Sequence, residues 1–210
     1  MKKIISVIAM TSMLFAFYCS SDDATTTAVA SEIDGSWSET CGSSQGKGEI
    51  KTYSISNLTV TETAKTYETS GCDGTVQYTI VTKYTFVLGA ATTATTLPSS
   101  STSVTPKKID STLVSTKITA NTATGVTSLG AFSISDVTWT VGTEVDVTGK
   151  TYSQGTLKAA GSKYYSIYIV HTDGKLYTGR LMEISPSTNS PTGESEAERK
   201  TSLDKTLTKS

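Results

Sequence analysis

The chain has 210 residues, a formal net charge of −1 and 18% charged residues. That length suits one domain with a buried core, and the absence of a basic stripe excludes a nucleic-acid partner. Ser and Thr make up 70 residues while Pro contributes four, a composition suited to half-buried strands because branched and aromatic side chains fit a pleated surface.

Lys2 and Lys3 precede an apolar run over residues 4–18, too short to span a bilayer comfortably. The run ends in Ala16-Phe17-Tyr18-Cys19, and Ser, Asp, Thr and Ala follow. This arrangement resembles the signal of bacterial, spirochaete-like lipoproteins. The resemblance implies that residues 1–18 are removed, that Cys19 is acylated and that residues 19–32 form a polar tether. The partner is then a membrane, reached through lipid at the outer membrane of the cell envelope. Ala28-Val29-Ala30 offers the alternative: ordinary signal cleavage, giving a soluble periplasmic or secreted protein.

With Cys19 assigned to lipid, Cys41 and Cys72 remain as an even pair in a compartment where disulfides persist. They stand 31 residues apart, so closing the loop is worth roughly 3–4 kcal/mol. One histidine and no Cys-x-x-Cys are too few ligands for a zinc centre, and no cofactor is expected.

Tyr53 and Ile55 share one alternating phase and Leu58 and Val60 the other, which predicts a turn or bulge near Ser56-Asn57. Residues 65–70 form a short partner strand in this reading. Residues 75–88 are the clearest strand: Val76, Tyr78, Ile80, Tyr84, Phe86 and Leu88 fall on one face. Residues 90–106 are Ala, Thr and Ser with Pro98 and Pro106, which predicts a long exposed loop. A further strand is expected over 109–119. Phe132 and Ile134, then Val137, Trp139 and Val141, mark another strand or kinked pair. Val145, Val147 and residues 152–158 suggest a hairpin near Gly149. Residues 164–172 and 175–182 flank Asp173-Gly174, a two-residue primed turn that sets Val170 against Tyr177 and Ile167 against Arg180. From residue 186 the chain is polar; residues 194–200 suit a short helix, and Leu203 and Leu207 dock a tail on the domain. The pattern is all-β, as a barrel or a β-sandwich.

Gly35-Ser36-Trp37 opens the first candidate strand. This Gly-x-Trp resembles the first signature of lipocalins and lipocalin-like bacterial lipoproteins, and 174–179 and 199–204 are similar to the ends of small lipoproteins with paired cysteines. The resemblance implies an antiparallel up-and-down β-barrel over 33–185, with 186–210 as the tail. It also places Trp37 at one barrel end beneath an Arg from the late strands, for which Arg180 is the candidate.

His171 beside a turn reads as a surface residue, and no nucleophile elbow, phosphate loop or calcium loop is present, so no catalytic residue is assigned. Ten tyrosines against four phenylalanines offer apolar area with a hydroxyl, useful in a pocket or on a binding face. The expected cavity lining is Tyr78, Ile80, Tyr84, Phe86, Tyr168 and Tyr177. The expected function is a membrane-anchored barrel holding a small apolar or amphipathic ligand. The alternatives are a surface adhesin or structural lipoprotein binding a host macromolecule without a pocket and, behind it, a hydrolase.

Overall fold

Alternating Thr, Val, Ile and Tyr fix long strands, and the closing of the strands on one another fixes the fold. A computed structural model describes residues 31–44, 46–98, 100–179 and 193–210; Cys19 and Arg180 lie outside the described residues. Eight strands carry the architecture: β1 (Gly35–Ser38), β2 (Lys47–Ser56), β3 (Thr59–Tyr67), β4 (Val76–Ala91), β5 (Lys107–Ala120), β6 (Lys163–Val170), β7 (Lys175–Thr178) and β8 (Lys205–Lys209). Each pairs antiparallel with the next, and β1 pairs with both β2 and β8. The sheet therefore closes into an up-and-down barrel, and the sandwich alternative falls.

The slip between Ile55 and Leu58 is the β2–β3 hairpin itself. Asn57 and Leu58 have φ of 51° and 59°, the left-handed pair that a two-residue primed turn requires. In β5, the pairs Lys83–Ser115 and Tyr84–Leu113 leave Val114 as a bulge. Inward positions consequently change phase, from Ile109 and Leu113 to Thr116, Ile118 and Ala120.

The β6–β7 register differs from the expected one by a single residue: Ile169 faces Tyr177 and Val170 faces Leu176. The loop has three residues, because the His171 N–H donates to Lys175 O at 2.9 Å and Gly174 takes φ 77°. One residue of slip reverses the faces. Tyr168 and Leu176 point into the barrel, whereas Tyr177 points out and packs with Leu97, Ile167 and Leu203.

One expected loop proves structured, and one expected strand does not form. Residues 90–106 fold back as a small hairpin, Thr95–Thr96 against Ser103–Val104, which seats Leu97 on the outer cluster. The expected strand over 132–141 is absent, because Ser133 and Asp136 have φ of 49° and 53° and break the extended backbone. Ahead of it stands a helix, α1 (Ala123–Gly130), with the Gly125 N–H donating to Thr122 Oγ1 at 3.0 Å. Glu144–Asp146 pairs with the end of β5, and Thr151–Tyr152 with Gly155–Thr156.

The described part of the expected tail, residues 193–210, is not appended to the barrel but belongs to it. Lys205–Lys209 is β8, the strand that closes the barrel, and Leu207 is buried in the lumen. The segment before it is clamped by Arg199, whose guanidinium donates to Ser166 O at 2.7 Å and Asp110 Oδ1 at 2.6 Å and pairs with Glu196. That guanidinium stacks 5.3 Å from the Tyr165 ring. The expected helix there reduces to one 3₁₀ turn, Glu196–Glu198. At the β2 edge, Cys41 and Cys72 are bridged, with Cα atoms 6.0 Å apart.

Candidate functional site

Cross-strand register divides the inward face into layers. At the closed end, Ile33 crosses the opening ahead of β1 and packs with Trp37, Ile55, Phe86, Ile109 and Tyr168. Two anchors hold this plug. The Trp37 indole N–H donates to Ile33 O at 2.8 Å, and Glu32 accepts from Tyr168 OH and Lys107 Nζ, each at 2.7 Å. Trp37 is 2% exposed. Gly35 has φ 136°, which suits glycine. The cation over the indole is Lys209 of β8, 5.7 Å from the ring centroid; Arg180, expected in that role, lies outside the described residues. Among the described residues the lumen is packed, the void between Tyr53, Phe86, Ile109 and Leu207 being about 10 Å³. That is room for one water at most.

A polar layer follows. Tyr53, Glu62, Thr82 and Thr116 are successive cross-strand neighbours on β2 to β5. Glu39 accepts from Tyr53 OH at 2.5 Å and from Lys205 Nζ at 2.7 Å, and Lys51 lies 3.7 Å from Glu62 and 3.5 Å from Glu49. Burial raises the Glu62 carboxyl above its ordinary range; Lys51 opposes this shift, while Glu39 and Glu49 add to it. Burial pulls the Lys51 ammonium down, but Glu62, Glu49 and Glu39 together carry it above its usual value. Burial, then Glu62 and Glu39, push the Tyr53 phenol up, so it remains a donor.

Beyond this layer the barrel opens into a four-stranded flange. The ladder of β6 with β5 ends at Thr112, so β2 to β5 run on without strands opposite them. The connection over 121–162 covers their inner face instead. Gly125 of α1 sits against Gln77 O, where a Cβ would stand only 2.0 Å away, and the Asn121 N–H donates to the same carbonyl at 2.8 Å. Between flange and connection lies an apolar cleft of about 190 Å³. Tyr78, Ile80 and Ile118 form its floor; Leu129, Phe132, Ile134, Val147, Tyr152 and Leu157 its roof, with Thr116 and Gln154 as polar members. Phe132 is 42% exposed.

The six expected lining residues therefore separate. Tyr78 and Ile80 line the cleft. Tyr84, Phe86 and Tyr168 pack in the lumen, Phe86 and Tyr168 also bordering the open groove outside the closed end, and Tyr177 is outside the barrel. Of the roof residues, Leu129 was missed because α1 is short and built largely of Thr, Gly and Ser, with no helical stripe to see; Phe132, Ile134, Val147, Tyr152 and Leu157 read as strand and hairpin residues by alternation. The polar layer had a signal: Lys51 is in phase with Tyr53 and Ile55, and Glu62 with Val60 and Ala64. At the hairpin tip, His171 Nδ1 lies 3.2 Å from Asp173, which also accepts from Tyr177 OH at 2.8 Å; these contacts hold the turn. Outside the closed end, an open groove of about 640 Å³ runs past Ser31, Leu58, Val87 and Ala91. Among the described residues, no helix is long and apolar enough to cross a membrane. No known family model and no curated protein matches the chain.

Proposed function

We propose that the chain is a lipid-anchored envelope protein whose packed barrel is a scaffold, and whose flange cleft takes a small apolar or amphipathic ligand. The observation that carries the reading is the contrast between a filled lumen and an apolar cleft of about 190 Å³ beside it. A dry apolar cavity of about 150 Å³ is enough to bind benzene, whereas sites that engulf drug-sized ligands measure about 300 Å³ or more. The cleft thus matches one ring or the end of one chain, with the remainder of the ligand passing Phe132 to solvent. Gln154 and Thr116 supply the polar contacts that would orient an amphipathic ligand.

The test is native mass spectrometry of protein extracted in mild detergent, beside Ile134→Trp, which fills the cleft. The reading expects a small-molecule adduct on the wild type and its loss from the variant. An adduct retained by Ile134→Trp, or none on either protein, contradicts it.

A further inference from the structure

We infer that the closed end of the barrel is a membrane-contact surface that lays Leu58 and Val87 against the lipid headgroup layer and holds the cleft on the far side. The inference rests on the lipid-anchor reading of Cys19.

Leu58 is the second residue of the β2–β3 turn, and Val87 lies just past the last β3 partner of β4. They are 37% and 66% exposed and border the same open groove as Ser31. Ser31 is where the described chain begins. Read as the polar tether, the twelve links from Cys19 to Ser31 span about 20 Å on average as a coil. The ten-residue strand β2 is about 33 Å long, so the two ends of the barrel are not equivalent to an anchor at Cys19. The end bearing Ser31 is the one held nearer the anchor.

The chemistry of this end fits the interface rather than the hydrocarbon. Lys209 stands beside Gly35 at this end, a cation suited to anionic headgroups. Glu32, the acidic member of the groove wall, is already paired with Lys107 at 2.7 Å. Among the described residues, no strand pairs with 87–91 on the β3 side, so those main-chain groups need water or headgroup partners. A depth at the headgroup level meets both demands. The opposite end also shows apolar side chains, with Val141 50% exposed. A comparison of the two ends therefore decides the matter.

The experiment uses the full lipidated protein carrying Val87→Cys or Val141→Cys. The native cysteines are occupied, Cys19 by lipid on the reading adopted and Cys41 and Cys72 by their disulfide. Each variant is spin-labelled and reconstituted in phosphatidylcholine–phosphatidylglycerol vesicles. Power saturation should find the label at 87 several-fold less accessible to a water-soluble nickel chelate than the label at 141. Equal accessibility on protein that floats with the vesicles, or protection at 141 instead, overturns the contact surface while leaving the anchor intact. Protein that fails to float overturns the anchor, and this inference with it.

Discussion

Truncating Trp37 probes the closed end directly. The side chain is buried in the lumen, and its N–H holds the carbonyl of Ile33, the plug residue. Trp37→Ala removes a buried indole, worth about 3–5 kcal/mol. It also strands a buried carbonyl, for about 1–2 kcal/mol more. The sum, about 4–7 kcal/mol, is comparable with the total stability of a typical domain, about 5–15 kcal/mol. Trp37→Phe keeps most of the apolar area but not the donor, so it should cost about 1–2 kcal/mol from the hydrogen bond plus a smaller packing term. Urea unfolding followed by far-ultraviolet circular dichroism yields both numbers without depending on tryptophan emission. A Trp37→Ala cost below about 1.5 kcal/mol, or one equal to that of Trp37→Phe, would refute the placement of this residue as the packed base of the barrel.

Replacing Cys41 and Cys72 together by Ser should lower stability by about 3–4 kcal/mol, the loop-closure value for their separation; a fall in the urea midpoint worth under about 1 kcal/mol would show that the bridge does little. Gly125→Ala forces a methyl into Gln77 O and should cost about 1–3 kcal/mol, with faster hydrogen exchange at the Asn121 amide; unchanged protection there would mean that α1 does not rest on β4. For Glu62 the direction of the shift sets the sign. A carboxyl whose folded pKa is raised favours the folded state below its unfolded pKa of about 4.3, and that contribution is lost as pH rises through the folded value. Glu62→Gln should therefore gain stability relative to wild type between pH 4 and pH 8, read by urea unfolding across that window, and a difference independent of pH would show that the Glu62 charge is not buried.

Much of the barrel was legible because it obeys a period of two. The inward face from Tyr78 to Leu88, the turn beside Ser56-Asn57 and the pairing of Cys41 with Cys72 all stand in the fold, whereas a register shift against β3 buries Gln77 in place of Val76. What alternation could not convey was length and partner. β4 presents one continuous face, yet Phe86 and Tyr84 enter the lumen while Ile80 and Tyr78 pass beyond it, because β6 stops pairing at Thr112. The Val114 bulge and the three-residue loop at 172–174 each shift a phase by one, and Asp173-Gly174 alone reads equally well as the shorter turn. β8 hides in a polar segment because only Leu207 of its five residues is buried. The cleft roof depends on tertiary contacts of 121–162, where alternation at 132–141 and 145–147 reads as strand and does not convey a roof.

The central claim, that the ligand site is the flange cleft and not the lumen, is open to one direct measurement. Methyl-labelled protein is titrated with toluene and followed by carbon–proton correlation spectra. The account predicts saturable shifts at Ile80, Ile118, Leu129 and Val147, which line the cleft, with Val60, Leu113 and Leu207 of the lumen unmoved. Shifts at the lumen methyls, or saturable shifts nowhere, would contradict it.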